Sequence, residues 1–475
     1  MSSVVSRKSV RAGSAKAAAA SKDRSALPDE VVIGKDVLEL LSAAMYVEPL
    51  SIYREYVQNA ADAIDARCSS GEPGVEHCDG KIDITIEPAQ RLIRISDNGM
   101  GIPTATAVRT LLSIGASPKR GTRARGFRGV GRLAGLAYCR TMVFRTRACG
   151  DDSFLEMRWD SQRLKAALRD VNQNDALTEI IDRVVSISFH EAIDRPASFF
   201  EVELQDVVRT KHDALLNVPL VTQYLEQVAP LPFDASFQWS EELIERLSDV
   251  RLGNFDLAIN GEPPLRRAFR DTFAVSEKID DTLENLELVE LTDMDGGLAA
   301  IFWLCHHSYF GAITIKSRVA GLRARVGNIQ IGDARLFDDI FPEARFNGWC
   351  IGEVHILDPR IVPNARRDNF EQNIHFSNLT AQLEPLARGI ARRARTASSQ
   401  RNKAKKHNKP DLVIDKHDSS TTSKRSTFRQ PSHTLTGGQK LLRKSLLDSI
   451  AASNLSDRDC EIVLSELLTE MSQPK

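Results

Sequence analysis

The stretch Arg54-Glu55-Tyr56-Val57-Gln58-Asn59-Ala60-Ala61-Asp62-Ala63 decides the fold when read with Asp97-Asn98-Gly99-Met100-Gly101-Ile102 further along. Glu55, Asn59 and Asp62 stand at i, i+4 and i+7, so a helix puts them on one narrow stripe. Tyr53, Tyr56, Val57, Ala60, Ala63 and Ile64 form an apolar stripe able to face a core. Taken alone, the polar stripe is also what an ordinary solvated helix face presents. Asp97 changes that reading. It closes the alternating run Leu92-Ile93-Arg94-Ile95-Ser96, a strand with Ile93 and Ile95 inward. Gly99 and Gly101 then allow a sharp turn and a close backbone approach to a ligand. A third cluster, Gly126 to Leu136, leads into an apolar helical stretch whose first N–H groups suit a phosphate. Each glycine motif is common by itself; the order and spacing of all three are specific.

These residues resemble the GHKL ATPases, the superfamily of gyrase, the ninety-kilodalton heat-shock chaperone, histidine kinases and MutL, and most of all the heat-shock chaperone branch. The first box resembles Arg54-Glu55-x-x-x-Asn59-x-x-Asp62-Ala63 and the second Asp97-x-Gly99-x-Gly101-Ile102. Ile114 to Lys119 is similar to a small lid motif, and Gly126 to Gly135 to the third box. The family's Gly-Thr before a late strand falls at Ala197-Ser198-Phe199-Phe200, with Ser198 in place of Thr and no preceding Gly.

The resemblance implies an α+β Bergerat-type ATPase sandwich followed by a second α+β domain and a short helical C-terminal tail. It implies ATP and Mg2+ as ligands. Asn59 would supply a neutral oxygen to the cation, and Glu55 would orient and deprotonate the attacking water. Asp97 would accept from the adenine amino group. Asp62, Gly99, Gly101, Ile102, Lys119, Gly126, Gly129, Val130, Gly131 and Ser198 complete the expected ATP-binding set.

The chain has 475 residues, room for two or three domains. Apolar residues at 42% and charged ones at 27% are those of a globular protein, and a net charge of −1 provides no global field toward nucleic acid or membrane. Seven cysteines lie scattered without a Cys-x-x-Cys pair, which predicts reduced thiols and a cytoplasmic location. His77-Cys78 and Cys305-His306-His307 lack the four-ligand spacing of a zinc site. No apolar run approaches the ~20 residues of a membrane span. Residues 1–30 carry Arg7, Lys8, Arg11, Lys16, Lys22 and Arg24 against Asp23 alone, and read as a disordered basic tail rather than a transit peptide.

The ATP-binding domain is expected over 31–210. It should contain a helix from Asp36 to Tyr46 and a hairpin turning at Pro88-Ala89-Gln90. Further strands are expected at Thr141–Arg147, Arg183–Phe189 and Phe199–Leu204. A middle domain is expected over 211–385, with strands near Ala258–Ile259, Ala299–Leu304, Gly311–Val319 and Gly321–Ile331. In it, Gly352 to Asp358 leads to Ile361-Val362-Pro363-Asn364-Ala365-Arg366-Arg367-Asp368. This resembles the chaperone loop that reaches the γ-phosphate; Arg367 is the expected contact and Arg366 its reserve. Residues 386–435 read as a basic disordered linker, with no acid between Pro385 and Pro410. Its segment 388–409 is able to touch nucleic acid through phosphates, though no aromatics interleave for stacking. Residues 436–475 read as a helical hairpin for docking or pairing with a second copy.

A P-loop is excluded, because no Gly-x-x-x-x-Gly-Lys-Ser/Thr occurs. A histidine kinase needs a phospho-accepting helix pair ahead of the nucleotide box, and only tail and one short helix precede it. The readings that remain are a chaperone-like ATPase clamping a protein client or partner, a MutL- or topoisomerase-like clamp, and a partner-dependent stress or defence switch.

Overall fold

The computed structural model describes residues 48–70, 79–113, 125, 131–170, 177–209, 211–253 and 255–407. The tail, the Asp36–Tyr46 helix, Lys119, Gly126, Gly129, Val130 and the 436–475 hairpin lie outside the described residues. The first layer contains helices α1 (Ser51–Ser69), α2 (Thr104–Leu112), α3 (Ser161–Arg169), α4 (Leu177–Val184) and α5 (Val218–Val228). Its strands are β1 (Gly80–Glu87), β2 (Leu92–Asp97), β3 (Thr141–Arg147), β4 (Ser153–Asp160), β5 (Val185–Glu191), β6 (Phe199–Gln205) and β7 (Phe255–Ile259). The second layer contains α6 (Ser240–Arg246), β8 (Thr272–Ser276), β9 (Ile279–Thr292), β10 (Leu298–His307), β11 (Gly321–Val326), β12 (Ile329–Ile331), β13 (Ile351–Ile356) and α7 (Ile374–His407).

Period-two alternation builds the first sheet, in the order β5-β4-β3-β6-β2-β1-β7. Paired positions carry one buried row across five strands: Ile84, Ile95, Val202, Phe144 and Met157. α1, α5 and a 3-10 turn at Gly131–Ala137 cover that face through Tyr53, Val57, Ala61, Leu133, Leu136, Val221 and Leu225. The opposite face bears a charged ladder. Arg145 lies 2.7 Å from Glu156 and 2.6 Å from Glu201, and Arg94 lies 2.7 Å from Glu203. β7 joins β1 in parallel, with Leu257 beside Ile82. The first sheet therefore takes its last strand from beyond residue 210, where the sequence reading began the middle domain.

The second sheet runs β12-β11-β13-β10-β9-β8. It is covered on both faces, which is why Ala299 to Cys305 read as a continuous apolar run. Phe302 and Leu304 pack toward α7, and Ile301 and Trp303 toward Phe233, Phe237 and Phe269. Two expectations are corrected here. Gly311–Val319 is not a strand; it is loop with a 3-10 turn at Ile315–Ser317. Residues 386–407 are not linker. They continue α7, because Ala387, Ile390, Ala391 and Ala394 recur at helical spacing and are buried on the second core.

Glu353 on β13 is fully buried between Arg267 (2.6 Å) and Arg325. Burial alone would raise its carboxyl, but the two guanidinium charges and a contact from His355 outweigh that and hold it well below the usual range. His355 Nε2 lies 3.0 Å from Glu353, and burial pushes its imidazole down to about 4 despite that partner. A histidine depressed in the folded state stays neutral there while the unfolded chain takes up a proton. Stability therefore falls as pH drops from the ordinary 6.5 toward about 4. In calorimetric melts over that interval, His355→Gln is expected to flatten the pH dependence by up to about 1.4 kcal/mol per pH unit.

Candidate functional site

α1 is well supplied with alanine and free of Gly and Pro. Arg54, Glu55, Gln58 and Asp62 are buried in it alongside the apolar residues. Charged side chains removed from water need partners, and here these come from the helix itself and from other elements. Glu55 Oε1 lies 3.4 Å from Arg54 Nη2 and 3.7 Å from Arg367 Nε. These are charge contacts rather than close hydrogen bonds. Gly131 faces the other carboxylate oxygen, and a Cβ at that position would collide with it. Asn59 is half-buried on the same stripe. Asp62 Oδ1 accepts from the Arg125 backbone N–H at 3.0 Å, so Asp62 has a partner within the protein.

The Asp97 turn docks on the same helix. Asp97 is buried, and its Oδ1 accepts from the Gly99 N–H at 2.9 Å. The Met100 N–H donates to the Ala63 carbonyl at 3.1 Å, and a Cβ on Gly99 would come within 2.6 Å of the Ala63 Cβ. Ala63 lies one helical turn past Asn59, so this docking brings the Asp97 turn to the polar stripe. Gly101 has φ +67° and sits directly against the Arg147 carbonyl. Ile102 donates its N–H to Thr146 Oγ1 at 2.9 Å, and that hydroxyl donates to the Phe199 carbonyl at 3.1 Å. Thr146 braces the Asp97 turn, a contact that the sequence reading missed. Its signal was a hydroxyl on β3 continuing the alternation of Met142 and Phe144, in an otherwise apolar row. Ser198 is buried just before β6, two residues ahead of Phe200, which pairs with Asp97.

Arg367 comes from the loop after β13. Its side chain is 10% exposed, whereas that of Arg366 is 55% exposed and pairs with Asp368 at 3.1 Å. Of the two arginines, Arg367 is the one brought to Glu55. It holds a left-handed φ of +57°, fixed by its N–H on the Asn364 carbonyl and by the Gly332 N–H on its own carbonyl. Arg54 Nη2 also donates to the Arg366 carbonyl at 3.3 Å.

One cysteine expectation is corrected: Cys68, near the end of α1, is disulfide-bonded, with its partner outside the described residues. Burial pushes the free thiols of Cys139 and Cys305 up to about 12. His306 and His307 are hydrogen-bonded to Glu287 and Asp281.

Residues 50–185 match the family model described as histidine kinase-, DNA gyrase B-, and HSP90-like ATPase. The chain therefore carries an ATP-binding domain of the GHKL ATPase superfamily. Among individual proteins it is similar to the chaperone protein HtpG of Buchnera aphidicola subsp. Acyrthosiphon pisum (strain APS). That match is 31% identical over 146 residues, covering 27% of this chain and 23% of that protein. The chaperone protein HtpG of Buchnera aphidicola subsp. Schizaphis graminum (strain Sg) is 30% identical over 147 residues, with the same shares of 27% and 23%. The chain thus spans about a quarter of the length of the curated relatives it matches. The family match ends before Ser198 and Arg367.

Gly101→Ala places a side chain on a left-handed backbone against the Arg147 carbonyl. It is expected to cost about 2 kcal/mol or more, read as a lower melting temperature.

Proposed function

We propose that this protein binds and hydrolyses ATP with Mg2+ and uses the cycle as a conformational switch on a protein client or partner, in the manner of a heat-shock chaperone. The observation that carries the reading is the meeting of Arg367, from the second layer, with Glu55 on the helix of the ATP-binding domain. The donor set suits the ligand. Asn59 offers a hard oxygen one helical turn from Glu55, and the missing side chain at Gly131 is what lets the Glu55 carboxylate lie against that backbone. When bound, Mg2+ supplies charge neutralisation to the phosphates. Asp97 accepts from the adenine amino group, which guanine lacks at that position. Glu55 orients the attacking water and takes its proton, help worth roughly 10²–10⁴ in rate. Without nucleotide, Arg54 and Arg367 balance Glu55; with it, Arg367 faces the γ-phosphate, a role worth about 10³–10⁵ in comparable sites. Release of phosphate then weakens the link between layers.

A nucleic-acid clamp has less support. Within α7, Arg388 pairs with Glu384, Arg393 with Glu287 and Arg395 with Glu343, so part of the basic run has acidic partners on the protein's own surface. No described helix is long and apolar enough to cross a membrane. Pairing with a second copy and a cytoplasmic location remain part of the proposal.

Calorimetry and phosphate release test the site. Glu55→Ala is expected to keep ATP affinity while losing at least about 100-fold in turnover, and Asp97→Asn to lose ATP binding. Unchanged turnover in the first removes Glu55 from the mechanism. Arg367→Ala is expected to lower kcat by about tenfold or more while KM changes little. ATP turnover with and without DNA or a denatured protein separates the clamp from the chaperone; stimulation by DNA alone would favour the clamp.

A further inference from the structure

Arg125 is a buried guanidinium to which the chemistry above gives no task. Toward α1, its Nη1 lies 2.7 Å from Asp65 Oδ2 and 3.5 Å from Asp62 Oδ1. Away from α1, Nε donates to the Gly327 carbonyl at 2.7 Å and Nη2 to the Arg251 carbonyl at 3.0 Å. Gly327 is at the turn of the β11–β12 hairpin, with φ +54°, and a Cβ there would come within 2.8 Å of the Arg125 Cγ. Glycine is therefore what admits the arginine stem.

The hairpin is stiff. Beside Gly327, Asn328 is fully buried; its side chain accepts from Arg267, and its carbonyl accepts from Arg325 Nη1 at 2.9 Å. Both arginines hold Glu353. The short strand β12 then runs to Gly332, whose N–H donates at 2.9 Å to the carbonyl of Arg367. One hairpin thus contacts Arg125 at its turn and Arg367 at its end. Arg367 needs such support, because a left-handed backbone on a long side chain persists only where its surroundings fix it.

We propose that Arg125 is a positioning residue for Arg367. By fixing Gly327 to Asp62 and Asp65, it holds the hairpin, and through Gly332 the Arg367 loop, in register with Glu55. This inference deepens the ATPase reading and rests on it. The planar fork of arginine serves two carboxylates and two carbonyls at once, which the point charge of lysine does not reproduce.

The test compares the full wild-type chain with Arg125→Ala, Arg125→Lys, Arg367→Ala and the double Arg125→Ala/Arg367→Ala variant, measuring ATP binding, KM and kcat. Arg125→Ala is expected to lose about tenfold in kcat with KM within about threefold, and Arg125→Lys not to rescue it. The double variant is expected to be no slower than Arg367→Ala alone, because Arg125 acts through that residue. If Arg125→Ala does not fold, Gly327→Ala, which presses on the same contact from the other layer, is expected to show the same kcat loss and the same absence of additivity. Unchanged kcat, additive losses in the double variant, or a change confined to KM would overturn the inference. A wild-type chain that neither binds nor hydrolyses ATP would instead remove the functional reading, and this inference with it.

Discussion

Charged groups that a helix carries into the interior must find countercharges, and α1 buries Arg54, Glu55 and Asp62. Its partners come from outside the matched domain as well as from within it. Glu55 meets Arg367, Arg54 meets the Arg366 carbonyl, and Asp62 and Asp65 meet Arg125. Removing the second layer would take Arg367 from Glu55 and leave Arg54 as its remaining ion pair among the described residues. The same electrostatic need that assembles the site thus joins the layers, and the residues suited to chemistry are among those that hold the structure together. At 3.4–3.7 Å the Glu55 ion pairs are longer than close hydrogen bonds, which on the proposed reading lets a phosphate redistribute the charge.

The Glu353 cluster solves a different problem. It binds no expected ligand, yet it holds one carboxylate between two arginines in the middle of the second sheet. Those arginines also take the carbonyls of Gln227 and Leu231, at the end of α5 and just past it. The backbone leaving the first core is thereby anchored in the second. Losing these arginines would leave the Glu353 charge uncompensated in the core, which is strongly destabilising.

Much of the framework around the candidate site was legible in the sequence, because helical and strand periodicities survive folding. The Glu55 stripe, the strand ending in Asp97 and the hairpin at Pro88 all appear where alternation placed them. β4 was missed although Leu155, Met157 and Trp159 alternate and are buried. Residues 386–407 were misread because a count of basic side chains hides the small apolar residues between them. Arg125 and Thr146 were illegible for another reason: their meaning depends on partners distant in the chain, at Gly327 and Ile102. The sequence reading preferred Arg367 to Arg366; the left-handed backbone that goes with this placement is something composition does not encode.

The path of the chain limits how such a switch can move. Leu231 lies in the first core, Phe233 to Val250 in the core beneath the second sheet, Phe255 to Ile259 back in the first, and Phe269 onward in the second. The polypeptide therefore stitches the layers together three times within some forty residues, where a single hinge would have left them free to swing. A seam sewn this way does not open like a book; it permits sliding by small amounts. Any nucleotide-driven motion between these layers is then a shear, felt first where Arg367 slips past Glu55.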